Sequence, residues 1–136
     1  MIFLDSDILS YFFSGNLTIN KKITETINTG EKISLTIINV YELLKGFKWR
    51  SDKNKELLFI KFLKTVPVFS IDNDTINLAA DIYADLRKNG ITISDADIMI
   101  ASIIIKNNGK LVTNNVKHYC DIKDLKLINW LYQFQA

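Results

Sequence analysis

The chain has 136 residues, of which 48% are hydrophobic, a formal net charge of +2 and a single cysteine. This length predicts a single domain over 1–136 with a sizeable core. The small net charge excludes a polycation that binds nucleic acid through its overall charge. The lone Cys120 excludes an intrachain disulfide and a zinc site built from cysteines. Because the apolar runs are too short to span a bilayer and the first residues lack the pattern of a signal peptide, we expect a cytoplasmic protein that does not associate with membranes.

Short apolar strands alternate with helical segments along the chain. Ile2-Phe3-Leu4 predicts a buried strand that ends at Asp5. Further strand candidates follow at 33–35, 66–71, 110–113 and 127–128. Helices are predicted at 7–13, at 20–28, from near 39 to 47, at 53–64, at 74–88 and at 94–107. This alternation predicts an α/β fold, a three-layer α/β/α sandwich with a mostly parallel central sheet.

Four acidic residues lie where predicted strands end or predicted helices begin, and they are spread over most of the chain. They are Asp5, Glu42, Asp95 and Asp97. Because ligands of such folds bind at the carboxyl ends of the strands, we expect these carboxylates to collect at one edge of the sheet. Clustered carboxylates repel one another and normally need a hard cation such as Mg²⁺ or Mn²⁺. The pattern therefore indicates metal-dependent phosphodiester chemistry.

Each of these acids also suits an ordinary structural role at the start of a helix. The residues that fit helix caps or capping boxes are Asp5 or Ser6, Asn39 with Glu42, and Ser94 with Asp97. A first-turn acid also complements the helix dipole. The functional interpretation rests on the four acids taken together, because all of them are predicted at the same edge of the sheet.

Basic and aromatic residues are mixed between 45 and 64, and two interpretations stay open. One is a solvated lysine face on two amphipathic helices; the other is a rim beside Glu42 that contacts nucleic-acid phosphates through Lys45, Lys48 and Arg50. The only histidine, His118, has no nucleophile elbow nearby. If it acts in function, we place it near a substrate rather than on a metal.

Four short motifs occur in order between residue 1 and about residue 130. They are Ile2-Phe3-Leu4-Asp5-Ser6-Asp7, Glu42-Leu43-Leu44-Lys45-Gly46, Asp97-Ile98-Met99-Ile100-Ala101, and Leu111-Val112-Thr113-Asn114-Asn115 followed by the aromatic Tyr119. No single motif is specific, but the four at this spacing resemble the PIN-domain ribonucleases, and in particular the VapC toxins of bacterial and archaeal toxin–antitoxin pairs. The domain over 1–136 then resembles a PIN-like nuclease domain.

The resemblance implies an Mg²⁺- or Mn²⁺-dependent endoribonuclease that cleaves structured RNA of the tRNA or rRNA class. It implies that the catalytic and metal-holding residues are Asp5, Glu42 and Asp97. It assigns supporting roles to Asp95, Asn115, Thr113, Ser6 and Asn39, and it makes the basic rim an RNA-binding surface. It further implies a cognate antitoxin protein as partner and a homodimer.

The chain departs from the usual family pattern at several positions of these motifs. Asp7 stands where asparagine is commoner, and Asn39 stands where threonine is usual. The fourth acidic position of the family aligns with Asn115, whose amide can coordinate a cation or order a water but brings no charge. Occupancy by two metal ions is therefore not implied.

Two alternative functions fit parts of the same pattern. A PIN-fold module that binds RNA and cleaves weakly is expected where the acids are lost, yet Asp5 and Asp97 are both present. A phosphoacceptor signalling domain also has an aspartate after its first strand, but it needs an aspartate after the third strand and a lysine after the fifth. Asp72 follows the third strand candidate, whereas no lysine is well placed. We rank the nuclease first.

Overall fold

The computed structural model describes residues 1–131. Its five strands are β1 (Ile2–Leu4), β2 (Ile33–Thr36), β3 (Val68–Phe69), β4 (Lys110–Val112) and β5 (Lys126–Ile128). The helices between them are α1 (Ser6–Phe13), α2 (Leu17–Asn28), α3 (Ile37–Trp49), α4 (Lys53–Leu63), α5 (Asn73–Lys88), α6 (Asp95–Lys106) and α7 (Val116–Tyr119). The last five positions of the predicted domain, 132–136, lie outside the described residues.

All strands pair in parallel, and their order across the sheet is β3-β2-β1-β4-β5. The central strand β1 pairs with β2 on one side, where Ile2 lies opposite Ile33, and with β4 on the other, where Ile2 lies opposite Lys110. Because β1 is covered on both faces, all three of its residues are apolar and buried. The α/β fold with a parallel sheet that the sequence predicted is confirmed.

Helices cover both faces of the sheet, which gives the predicted three-layer sandwich. Successive side chains of a strand point to opposite faces, so Leu4 packs into one core with Leu9 and Phe59, whereas Phe3 packs into the other with Ile104. The first core joins the sheet to residues of α1, α2, α3 and α4, and the second joins it to residues of α5, α6 and α7. Among the described residues, no helix is both long and apolar enough to cross a membrane.

Several element boundaries differ from those predicted. Strand β3 covers only Val68–Phe69 instead of 66–71, and the Pro67 carbonyl accepts a hydrogen bond from the backbone N–H of Leu35 at 3.0 Å. Proline itself has no N–H to give to a sheet. Helix α2 begins at Leu17 rather than 20, because the Asn16 side chain accepts from the Ile19 N–H at 3.1 Å and caps it. The short helix α7 was not predicted.

The helix caps decide between the structural roles proposed for the polar residues. Asp5 caps α1, and Ser94 caps α6 by accepting from the Asp97 N–H at 3.2 Å, as the sequence allowed. The predicted capping box of Asn39 with Glu42 is wrong. Helix α3 begins at Ile37, and its cap is Thr36, whose hydroxyl accepts from the Asn39 N–H at 3.2 Å.

Candidate active site

The carboxyl edge of the sheet collects polar side chains from distant parts of the chain. Asp5 directly follows β1, and Thr113 directly follows the neighbouring strand β4. Helix α3 starts where β2 ends and carries Asn39 and Glu42, while α6 carries Asp97 in its first turn. The parallel arrangement therefore places these side chains at one edge, as predicted from their positions in the sequence.

Asp5 is the buried centre of this group. Its residue is only 5% exposed, and its carboxylate accepts hydrogen bonds from the Ser6 N–H at 2.9 Å, the Asn39 side-chain amide at 3.1 Å and the Thr113 hydroxyl at 2.7 Å. A buried carboxylate needs such donors, because it has lost its water. Asp5 therefore caps a helix and at the same time links three segments at the sheet edge.

A tyrosine hydroxyl lies between two of the carboxylates. Tyr119 is 1% exposed, and its hydroxyl donates to Asp97 Oδ1 at 3.0 Å and lies 3.5 Å from Asp5 Oδ1. Burial, followed by the charges of Asp5 and Asp97, raises the pKa of the Tyr119 phenol above its ordinary value, so the hydroxyl keeps its proton and acts as a donor. The sequence marked Tyr119 only as the aromatic residue of the fourth motif and did not predict this contact.

A chain of hydrogen bonds orients Glu42. The Thr36 hydroxyl donates to Asn39 Oδ1 at 2.6 Å, and the Asn39 amide donates to Ser6 Oγ at 3.0 Å as well as to Asp5. Ser6 Oγ in turn donates to Glu42 Oε1 at 2.7 Å. Asn39 is fully buried and Glu42 is half-buried. The predicted supporting residues Ser6 and Asn39 thus connect Asp5 to Glu42, and Thr36 extends the network.

The electrostatics of these acids reflect burial and mutual repulsion. Burial raises the pKa of Asp5, hydrogen bonds from Thr113 and Ser6 partly offset this effect, and the charge of Asp97 raises it again. Burial also raises the pKa of Glu42, and the charges of Asp5 and Asp97 add to this effect. Asp5, Glu42 and Asp97, here called the acidic cluster, therefore interact electrostatically. Such a group is stabilised by a proton or a cation.

Asp7 is a further acid at this edge of the sheet. From the sequence, Asp7 was identified only as a departure from the family pattern. Its carboxylate accepts from the Asn114 N–H at 2.9 Å and from the Ile8 N–H at 2.7 Å. It thereby ties the segment after β4 to α1. Partial burial, followed by the charge of Asp5, raises the pKa of Asp7 from 3.8 to about 6.

This pKa shift predicts that Asp7→Asn gains stability relative to wild type as pH rises. The folded state holds the Asp7 proton to higher pH than the unfolded chain, so wild-type stability falls as pH rises from about 4 to about 6. An asparagine cannot ionise and avoids this fall, but it keeps only one oxygen acceptor and so loses the hydrogen bond from Ile8 or Asn114 at every pH. After a discount for the partial exposure of Asp7, we expect the stability of Asp7→Asn relative to wild type to rise by about 1 kcal/mol between pH 4 and pH 7.5.

Urea unfolding in chelator at pH 4 and pH 7.5 measures this difference. Asp81→Asn, which removes an exposed carboxylate from α5, controls for the loss of one negative charge. A stability difference between wild type and Asp7→Asn that is the same at both pH values would contradict the prediction.

Two of the predicted supporting residues are exposed, and among residues 1–131 neither side chain joins the hydrogen-bonded network. Asp95 is exposed in the first turn of α6, where it lines a groove with Ile76, Tyr83 and Met99. Asn115 is exposed after β4; its backbone N–H donates to Thr113 Oγ1 at 3.0 Å, and its side chain does not cap α7. Their roles stay predictions.

The predicted basic rim divides into side chains with different partners. Lys48 forms an ion pair with Glu56 of α4, and the Arg50 guanidinium lies over the Phe47 ring, 5.6 Å from its centroid. Lys45 is the rim residue whose charge reaches the acidic cluster, because it lowers the pKa of Glu42. Among residues 1–131, no group of three or more Asp, Glu, His or Cys side chains is arranged to hold a metal ion.

The motifs, the fold and this site have counterparts in known proteins. Residues 2–123 match the family model of the PIN domain. The chain belongs to the PIN-domain family. Two relatives of this PIN-domain protein are the ribonuclease VapC1 of Methanocaldococcus jannaschii, 32% identical over 93% of this chain and 84% of the relative, and the ribonuclease VapC2 of Rickettsia felis, 27% identical over 93% of this chain and 96% of the relative. The resemblance predicted from the four motifs is confirmed.

Solved structures agree with this assignment. VapBC2 of Rickettsia felis bound to a promoter DNA fragment contains a chain with a TM-score of 0.86 to this PIN domain and 25% identity, and the match covers 96% of this chain and 99% of that one. A DNA-bound VapBC from Salmonella typhimurium has a TM-score of 0.84 at 21% identity, covering 95% and 97% of the two chains, which shows the shared fold.

Proposed function

We propose that this PIN-domain protein is an endoribonuclease that hydrolyses RNA with Mg²⁺ or Mn²⁺ and acts as the toxin of a toxin–antitoxin pair. The observation that carries the proposal is the convergence of Asp5, Glu42 and Asp97 at the carboxyl edge of the sheet, with raised pKa values at Asp5 and Glu42. The ribonuclease names of its VapC relatives support the same activity.

The donor atoms of the acidic cluster suit a hard cation, although its three carboxylates are not already arranged around one. All their donor atoms are carboxylate oxygens, which Mg²⁺ prefers, and a cation would relieve the repulsion that raises their pKa values. Mg²⁺ keeps several waters and is often held by only one or two carboxylates, so it does not need a complete protein cage. We assign Asp5 and Asp97 as its direct ligands and Glu42 as a ligand directly or through water. When bound, the cation would polarise a phosphoryl oxygen and lower the pKa of an attacking water.

The surrounding residues fix the carboxylates in place before RNA binds. Thr113 and Asn39 hold Asp5, Tyr119 holds Asp97, and Ser6 holds Glu42. A network of this kind keeps ligands oriented, and its loss typically costs 10–100-fold in metal affinity or activity. Asn115, three residues after β4, is proposed to order a water beside the cation, and Asp95 to adjust the local negative charge.

The chemistry of the RNA ends tests the proposed reaction. Purified protein is incubated with tRNA and rRNA, the proposed substrate class, and the fragment ends are sequenced. Attack by water predicts 5′-phosphate and 3′-hydroxyl ends in the wild type, and no cleavage above background for Glu42→Gln. Fragments with 2′,3′-cyclic phosphates would instead indicate attack by the RNA 2′-hydroxyl and would contradict the mechanism.

The proposed partners are RNA, a cognate antitoxin that blocks the acidic cluster, and a second copy of this chain. The solved VapBC neighbours support an antitoxin, because VapBC is a family of toxin–antitoxin systems. Since the proposed substrate is cellular RNA, the proposed location is the cytoplasm.

Co-expression with the antitoxin should suppress RNA cleavage, and light scattering of the purified toxin should report a dimer.

The salt dependence of RNA binding tests the basic rim. Replacement of Lys48 and Arg50 together by glutamine is expected to weaken binding and to flatten the plot of log affinity against log salt by about 0.7 for each phosphate that is no longer neutralised. Lys45→Gln is expected to do the same, because its charge lies beside Glu42. Binding is measured in chelator, and Lys61→Gln, an exposed lysine of α4, is the control. An unchanged slope in the Lys48 and Arg50 variant would assign both residues to structural contacts.

A further inference from the structure

A cleft of about 310 Å³ adjoins the acidic cluster on the far side of Asp97. It lies between the segment that precedes α6 and the short helix α7, and its walls include Ile91, Ile93, Lys117, His118 and Asp121. Its size is at the lower end of pockets that hold small ligands, which range over roughly 300–1,000 Å³. The network described above leaves this cleft without a role.

The position of His118 links the cleft to the site of cleavage. Its Nδ1 atom lies 3.6 Å from Asp97 Oδ2, and its side chain is 65% exposed, so much of the imidazole is free for a ligand. The next residue, Tyr119, points the other way, into the core, and holds Asp97 Oδ1. One short helix therefore supplies both the buried support of Asp97 and the exposed ring beside it.

The lining favours an uncharged aromatic ligand over an anion. Among the described residues that line the cleft, Lys117 has the one ammonium group, and the carboxylates of Asp97 and Asp121 oppose it, so these residues carry no excess of positive charge. Ile91 and Ile93 are half-buried and present apolar surface. Proteins that bind unpaired RNA stack its bases on aromatic side chains, histidine included, and hydrogen-bond their edges.

We propose that this cleft receives the base of an unpaired nucleotide next to the scissile phosphate, with the base stacked on the His118 ring and Lys117 near the adjoining phosphate. The inference rests on the proposed nuclease function and deepens it, because it assigns a base-binding subsite on this chain beside the scissile phosphate. His118 would act as a binding residue.

Two substitutions at His118 separate stacking from other effects. His118→Ala removes the ring, whereas His118→Phe keeps an aromatic face and removes the nitrogen beside Asp97. Affinity for a fluorescent single-stranded RNA is measured in chelator, where the proposed hydrolysis cannot occur. We expect about tenfold weaker binding for His118→Ala and binding within about twofold of wild type for His118→Phe. Equal losses in both variants, or no loss in either, would overturn the proposal.

A fully paired RNA of the same sequence is the matched control ligand, because its bases are stacked within the duplex and cannot enter the cleft. His118→Ala should leave duplex affinity unchanged; an equal loss for duplex and single strand would overturn the proposal. So would a His118→Ala variant that loses only its affinity for an antitoxin, which would make the cleft a protein-binding site. Because these assays need no cleavage, a wild type that binds through the cleft but never cuts RNA would sink the nuclease proposal alone.

Discussion

Asp97→Asn should reduce RNA cleavage by more than about 100-fold while the free energy of unfolding stays within about 1 kcal/mol of wild type. The cap of α6 uses the Asp97 backbone N–H and not its carboxylate, so the helix start is retained. Asparagine also keeps an oxygen that can accept from the Tyr119 hydroxyl. The substitution therefore removes a charge from the acidic cluster and little else.

Initial cleavage rates and urea unfolding curves on the same preparations measure both quantities. Asp74→Asn, an exposed acid in the first turn of α5, is the control and should retain wild-type cleavage. Asp5→Ala is a less clean probe, because it removes the acceptor of the Thr113 hydroxyl and one of the two acceptors of the Asn39 amide, and should cost about 2–4 kcal/mol of stability as well. Full activity in a folded Asp97→Asn variant would mean that Asp97 only supports the structure.

Chelation should abolish cleavage completely, and added Mg²⁺ or Mn²⁺ should restore it. The physical reason is that the carboxylates of the acidic cluster repel one another, as the raised pKa values of Asp5 and Glu42 indicate. Cleavage rates are measured in excess chelator and then during titration with each cation. Cleavage by wild-type protein that persists in excess chelator would rule out the proposed mechanism. If Asp97→Asn shows the same cleavage, the activity does not come from the acidic cluster and can be due to a contaminant.

The fold was predictable because parallel strands buried on both faces are short and continuously apolar, as in Ile2-Phe3-Leu4. The strand order was not predictable, because pairing between β1 and β4 joins segments that are far apart in the sequence. The observed element boundaries differ from the predicted ones where a single residue sets them. Pro67 precedes the start of β3, and Asn16 caps the start of α2.

Candidate residues of the site could be predicted where their position at the end of a strand or the start of a helix also fixes their location in the fold. Asp5 follows a strand and Asp97 opens a helix, so both were expected at the same edge. Tyr119 was missed because a buried aromatic residue is usually a core residue, and its partners Asp97 and Asp5 are 22 and 114 positions away. Asp95 is exposed beside α5 because residues two apart on a helix do not share a face.

The phosphoacceptor alternative loses its main support in the structure. Its candidate aspartate, Asp72, caps α5 through a capping box in which the Asp72 carboxylate accepts from the Thr75 N–H at 2.8 Å and the Thr75 hydroxyl accepts from the Asp72 N–H at 2.7 Å. Asp72 lies between β3, which is an edge strand of the sheet, and α5. A local cap therefore accounts for this acid.

Calorimetric titration with Mn²⁺ measures directly whether the acidic cluster binds the cation that we propose for hydrolysis. Wild type, Asp97→Asn and the control Asp74→Asn are titrated at the same pH and ionic strength. We expect saturable binding in wild type and in Asp74→Asn, and an affinity at least about tenfold weaker in Asp97→Asn. Equal Mn²⁺ affinity in all three proteins would contradict this expectation.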